Sequence, residues 1–353
     1  MRNARDLSLA VLAVALCVAA ASPASSQFIQ KRYGNAGIAD GVACTENSQD
    51  GWRKTVQERT EWLQKAPDDI IALFERSTAY GCLGDQQAAI IDLNRAAVLA
   101  PKNPQIYYDL GATYADMHDY PDALTNYTHA IALEPDLAKA YNNRGTTYET
   151  MGNYDAALAD FGAAISLEPT YADAIVNRAQ TYAFRGRSDL ALADLNKAIS
   201  LEPQDVNAYV NLGALQYRLG HWTDAIAAAS MAIKVDPNEP IAYLNRCEAR
   251  TISNIDLAAA LEDCTKDLSL RPGHTNTLEI RSILQFRLAN YDGAIADADA
   301  CLAQDSRRSA AMLMRGFAKL RKGDAADGDA DIAAAAAIQP DVEAEYARYG
   351  ITR

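Results

Sequence analysis

The sequence predicts an all-α protein built as a solenoid of stacked helix pairs. Three observations predict it. Pro101, Pro135, Pro169, Pro203 and Pro237 recur at a spacing of 34 residues. Each follows a similar phrase: Ala-Ala-Val-Leu-Ala, Ala-Ile-Ala-Leu-Glu, Ala-Ile-Ser-Leu-Glu twice, and Ala-Ile-Lys-Val-Asp. Between prolines lie two apolar-periodic stretches joined by turns such as Met151-Gly152-Asn153-Tyr154 and Leu219-Gly220-His221-Trp222. Glycine in the turn ends the first helix, and proline cannot continue the second. In such an array no unit buries its apolar face alone, and stacking supplies the core.

Eight units follow at roughly 70–103, 104–137, 138–171, 172–205, 206–239, 240–274, 275–308 and 309–342. The sixth carries one extra residue near Asn254, and the seventh has Ser306 in place of the proline that the eighth regains as Pro340. Leu110, Gly111, Tyr114, Ala123, Tyr127, Ala130 and Pro135 of the second unit carry a resemblance to the tetratricopeptide-repeat family. The resemblance implies a right-handed superhelical solenoid of about eight antiparallel helix pairs with a C-terminal capping helix. It implies protein–protein interaction, no catalysis and no cofactor. Gly111 with Ala123, and Gly145 with Ala157, are expected to let paired helices approach closely, with Tyr114, Tyr148 and Tyr182 filling wider space one turn on. Asn245-Arg246-Cys247, Leu261-Glu262-Asp263-Cys264 and the closing Lys322-Gly323-Asp324 to Tyr349-Gly350-Ile351 stretch resemble exported bacterial repeat proteins of unassigned role.

The ends read differently. Residues 1–26 have the form of an export signal: Arg2 and Arg5, then an uncharged run from Leu7 to Ala21, then small residues around Ala24. That run is short for a bilayer span. The protein is therefore expected in the periplasm or secreted, with no membrane span once the signal is removed. Residues 27–69 are an N-terminal extension. Within it, Asp50 to Lys65 forms the second half of a degenerate repeat ending at Pro67, 34 residues before Pro101. Residues 27–43 show no pattern. Residues 343–353 form a polar closing helix. The net charge of −13 sets the chain against phosphate backbones and anionic lipid, so nucleic acid is rejected as a partner.

No catalytic constellation accompanies the repeats. His118, His129, His221 and His274 have no metal-ligand spacing to one another or to a cysteine pair, and no HExxH, GxSxG or phosphate-binding glycine loop is present. Two functions fit: a scaffold of the bacterial envelope that holds an extended peptide or protein segment in its concave face, or a structural scaffold that self-associates.

Comparing the units with one another assigns three sets of residues. Position 7 is Arg in six units (Arg76, Arg144, Arg178, Arg246, Arg281, Arg315), and position 23 of the same six is Asp (Asp92, Asp160, Asp194, Asp263, Asp297, Asp331). The other two units lose both together, with Leu110 facing Asn126 and Leu212 facing Ala228. Joint loss points to buried ion pairs joining the two helices, since an unpaired buried charge is costly.

Five cysteines remain after the signal, and an exported chain meets an oxidising compartment. Cys247 and Cys264 each follow one residue behind the pair Arg246 and Asp263, so they are expected to form a disulfide across the sixth unit. Cys44 and Cys82 form a second expected bridge, and Cys301 is expected to be inert packing.

Position 6 is Asn in four consecutive units: Asn143, Asn177, Asn211 and Asn245. In the resembled fold this position lines the concave groove. A row of carboxamides there matches the N–H and C=O groups of an extended peptide. Asp109 and Glu75 extend the row with acids suited to a basic residue or free amine. Tyr108, Asn142, Tyr217, Val176, Val210 and Leu244 are its neighbours. The row stops at Ile280 and Met314, so the last two units are expected not to share this binding mode.

Overall fold

The computed structural model describes Cys44 and residues 48–353. The export signal expected over 1–26 and the patternless stretch 27–43 lie outside the described residues. Every regular element among the described residues is a helix. They form two compact units, one ending at Leu201 and the other spanning Glu202–Arg353.

The first unit contains α1 (Gln49–Lys65), α2 (Ile70–Cys82), α3 (Gln86–Leu99), α4 (Pro104–Asp116), α5 (Tyr120–Leu133), α6 (Ala138–Thr150), α7 (Tyr154–Leu167), α8 (Ala172–Phe184) and α9 (Ser188–Leu201). The second contains α10 (Val206–Arg218), α11 (Trp222–Val235), α12 (Pro240–Ser253), α13 (Leu257–Leu270), α14 (Thr275–Arg287), α15 (Tyr291–Gln304), α16 (Ser309–Arg321), α17 (Ala325–Ile338) and the short α18 (Val342–Ala347). From α2 onward the helices pack as consecutive hairpins: α2 on α3, α4 on α5, and so on to α16 on α17. Within each unit the second helix of one hairpin also packs on the first helix of the next. The leading helices touch one another as well, α4 on α6 and α6 on α8, and α10 through α16 in the same way.

Local chemistry sets the helix ends. Asp69, Asp85, Asn103, Asp119, Asn153, Asp205, Asp256, Asn290 and Asp324 accept a hydrogen bond from a first-turn amide with their own side chains. The turn inside each hairpin needs one residue in the left-handed region. Gly84, Gly152, Gly186, Gly220 and Gly323 provide it at no steric cost. His118 and Ala289 occupy the same place with φ of 61° and 58°. In the sixth repeat the extra residue is absorbed by two left-handed residues, Asn254 and Asp256.

Packing between paired helices relies on a small residue facing a large one. A Cβ on Gly111 would lie 2.7 Å from the Tyr127 ring, and one on Gly145 would lie 2.8 Å from the Phe161 ring. These rings belong to the residues one helical turn beyond Ala123 and Ala157. Tyr127 and Phe161 are both fully enclosed.

All six Arg–Asp combinations meet across their hairpins. In each, the Arg Nε and Nη2 donate to the two carboxylate oxygens in a bidentate fork, at 2.6–2.9 Å. The Asp side chains keep only 3–11% of their exposure and the Arg side chains 16–24%, which places the pairs below the surface. The remaining Nη1 reaches back sixteen residues to the previous hairpin: Arg76 to Thr60, Arg144 to Thr128, Arg246 to Ser230, Arg281 to Thr265 and Arg315 to Asp299. Each of these arginines thus ties together three helices. Arg178 has Gly162 at that position, and its Nη1 makes no such bond.

Two stability measurements follow. Asp160→Ala strands the buried Arg144 and is expected to cost about 3 kcal/mol or more in urea unfolding, against a smaller loss for Arg144→Leu with Asp160→Ala. A single variant no worse than the double would refute burial of the pair. Ala289→Gly relieves a left-handed alanine and should raise stability by about 1 kcal/mol in the same assay, with no gain counting against strain at this turn.

Candidate functional site

In the first unit the surface formed by the leading helices α4, α6 and α8 is the inner face of the stack. The carboxamides expected to stand free there are engaged. Asn143 Nδ2 donates to the Tyr108 hydroxyl at 2.9 Å, and its Oδ1 accepts from Asn142. Asn177 Nδ2 donates to Asn142 Oδ1 at 3.0 Å. In the second unit Asn245 Nδ2 donates to the Val210 carbonyl at 3.1 Å. Each bond runs to the residue thirty-five earlier, from one leading helix to the previous one. Asn211 Nδ2 is buried without a hydrogen-bond partner among the described residues.

Asn143, Asn177 and Asn245 thus cross-link successive repeats, while Asn211 makes no such bond. The physical reason is close packing: Asn142, Asn177, Asn245, Tyr108 and Asp109 are all buried, as are Val176, Val210 and Leu244. An amide so enclosed satisfies itself within the protein rather than waiting for a ligand.

Further polar side chains, most of them half-buried or buried, lie beside this row. Gln105 Nε2 donates to Asp109 Oδ1 at 2.8 Å, while Lys139 Nζ donates to Gln105 Oε1 at 2.7 Å and sits 4.6 Å from the Tyr108 ring centre. Glu75 is paired with Arg59. Two further acids were not singled out from the sequence. Asp116 ends α4, and burial pushes its carboxyl up to about 7. It makes no ion pair or side-chain hydrogen bond among the described residues. Glu149, near the end of α6, is also pushed up to about 7 by burial, offset in part by the Thr181 hydroxyl, which donates to it at 2.8 Å. Thr181 stands on α8 two residues before the repeat equivalent of Glu149, Ala183, and this bond too joins successive leading helices. The signal available in sequence was weak, because each acid falls in a chain already rich in acids.

The second unit presents a different inner face. Glu248 on α12 is raised to about 8, first by burial and then by Asp267 and Glu279. Glu279 on α14 is raised to about 6 by burial. The Tyr217 phenol is raised by burial, then by Glu248 and by Tyr349 of the C-terminal segment. Asp267, itself fully buried, pairs with Arg271 and accepts a short bond from the Thr277 hydroxyl.

The cysteines complete the picture. Cys247 and Cys264 form a disulfide with their Cα atoms 5.6 Å apart. They stand where Gly111 faces Tyr127 and Gly145 faces Phe161 in other hairpins. Cys44 and Cys82 form the second bridge, fastening the segment before α1 to the end of α2. Cys301 is a buried free thiol that donates to the Thr275 carbonyl, and burial pushes its pKa up to about 12. The described residues contain no group of three or more potential metal ligands and no helix long and apolar enough to cross a membrane.

Comparison with known proteins matches this geometry. The family model described as "Tetratricopeptide repeat" matches residues 138–171, and that described as "TPR repeat" matches 114–152 and 184–220. The chain carries tetratricopeptide repeats. A tetratricopeptide repeat protein from Parabacteroides merdae superposes with a TM-score of 0.54 at 20% identity, over 70% of this chain and 98% of its own. PilF of Pseudomonas aeruginosa gives 0.53 at 18% identity, over 60% and 96%. The Cut9–Hcn1 hetero-tetramer of the APC/C gives 0.57 at 15% identity, covering 82% of this chain and 57% of its own. At these identities the likeness is one of fold. No curated protein matches the sequence. Tetratricopeptide repeats are in general non-enzymatic scaffolds for protein–protein interaction, using the concave surface that stacking creates.

The enclosed Glu149 generates a pH prediction. Its folded pKa of about 7 exceeds the ordinary 4.5, so ionisation opposes folding. Stability is highest below the unfolded value, falls as pH rises toward about 7, and is level above it. Glu149→Gln keeps the acceptor for Thr181 and removes that loss. Thermal melts should show it about 1–3 kcal/mol more stable than the parent at pH 8 and equal to it at pH 4. Equal melting at both pH values would refute an enclosed, ionisable Glu149.

Proposed function

We propose that the chain is a non-catalytic scaffold of the bacterial envelope that holds an extended, basic segment of a partner protein along the inner face of α4, α6 and α8. The observation that carries this reading is the placement of the half-buried Asp116 and the buried Glu149 on successive leading helices, with no cation bound to either among the described residues. A lysine or arginine side chain laid across them would ionise both and gain charge-assisted hydrogen bonds. Lys139, bonded to Gln105 beside Asp109, already shows a cation lying over this face. The exposed Phe184, stacked on Tyr154, adds an apolar contact at the end of α8. Asn143, Asn177 and Asn142 then serve as the rigid wall behind the ligand instead of its reading heads.

An envelope location is supported by the two disulfides, which persist in oxidising compartments. Self-association is the second reading, favoured by Ile91 and Val98 on the outer side of α3, which are 63% and 81% exposed.

The test uses labelled ten-residue peptides rich in lysine and arginine, with glutamate-substituted versions as controls. Asp116→Asn with Glu149→Gln should lower affinity for the basic peptides at least tenfold. The parent should bind them more tightly as pH rises from 6 to 8, since a bound cation requires both acids ionised. Unchanged affinity in a correctly folded double variant would move the site elsewhere.

A further inference from the structure

The inner face of the second unit already has an occupant. At equivalent positions α6 presents Asn143, Thr146 and Glu149, whereas α14 presents Ile280, Ile283 and Phe286, and α16 presents Met314 and Phe317. These five apolar side chains are buried in one cluster with Val342, Tyr346 and Ile351 of the C-terminal segment, and Tyr349 packs against it. The closing segment expected to be a polar helix is thus a single short helix, α18, with an apolar side turned into the stack.

Its attachment is that of a bound peptide. Arg287 of α14 donates to the main-chain carbonyl of Tyr349, and through its other nitrogen to the carbonyl of Thr251 on α12. Arg321 of α16 donates to the carbonyl of Arg353 at 2.7 Å. Both guanidiniums grip backbone, not side chain. Gly350, with φ of 73°, lets the Ile351 amide fold back on the Tyr346 carbonyl at 3.1 Å, which turns Ile351 into the cluster. A helix of six residues has almost no stability of its own. It is held by these contacts, and only Gln339, Pro340 and Asp341 join it to α17.

We propose that residues 342–353 are a ligand bound in cis, closing the inner face of α12, α14 and α16. The same face takes a partner segment of like chemistry once the tail lifts: a short helix with two tyrosines three residues apart, followed by an aliphatic residue. This site is separate from the acidic face of the first unit and does not depend on it.

The probe is a labelled synthetic peptide of residues 341–353. The comparison is the full chain against the full chain carrying Tyr346→Ala and Tyr349→Ala, whose own tail cannot seat. With an effective tail concentration on the order of mM and an intrinsic Kd on the order of 10 µM, the parent should bind the peptide about 100-fold more weakly than the variant. A peptide with the same two alanines should bind neither. A folded variant that fails to bind the parent peptide would overturn the proposal. Hydrogen exchange on the parent provides an independent reading. Amides of 345–351 should exchange faster than those of α16 and α17, and exchange of all three only together would show an integral cap and overturn the proposal.

Discussion

The six arginines at the seventh position hold the architecture together. A guanidinium offers five donors in a planar fork, and in five of the six, all but Arg178, three nitrogens are engaged. Two clamp the aspartate of the partner helix, and the third reaches the hairpin before. Hydrophobic stacking alone is non-directional and would tolerate sliding of one hairpin over the next. The arginine fork converts that stack into a register, because its three partners meet only when the helices are correctly aligned. The carboxamide cross-links, Asn143 to Tyr108 and Asn177 to Asn142, repeat the same service between leading helices on the inner side.

With register fixed in this way, the inner faces are free to diverge. In the first unit the inner face carries carboxamides and acids beside Tyr108 and Val176. In the second, the last repeats carry aliphatic and aromatic side chains at equivalent positions, and the tail covers them. Hairpins of one geometry thus support an open, ionisable surface and a closed, apolar one. The sixth repeat shows how much local change the frame absorbs. It holds an additional turn residue, two left-handed residues and a disulfide, yet its Arg246–Asp263 fork matches those of its neighbours.

Much of this was legible in the sequence because it repeats. The 34-residue period, the hairpin turns and the joint appearance of Arg and Asp are comparisons of the chain with itself, and the helices lie where the period puts them. The backward partner of five of the six arginines was equally available. Thr60, Thr128, Ser230, Thr265 and Asp299 stand sixteen residues before an arginine, whereas asparagines, Asn94 and Asn196, stand sixteen before Leu110 and Leu212. It was missed because it belongs to the preceding unit, and units were read one at a time. The internal bonds of Asn143, Asn177 and Asn245 were missed for a different reason. Periodicity shows that a residue faces inward but not how close the neighbouring helix lies, and closeness decides whether an amide meets a ligand or another side chain. The tail was misread because its charged residues dominate its composition, while three buried residues, Val342, Tyr346 and Ile351, fix its place.

The backward reach of the arginines also constrains how such a gene can lengthen. A hairpin does not carry its own junction; half of each junction is written in the hairpin before it. Duplicating or deleting a whole period therefore keeps this bond only where the hydroxyl or acid of the upstream copy meets an arginine downstream. Joining a copy that ends in Asn94 to one that begins with Arg144 would leave that arginine facing an amide in place of the hydroxyl of Thr128. Tandem duplication keeps the bond only for blocks cut at matched seams, and the seams before Arg178, Leu110 and Leu212 do without it.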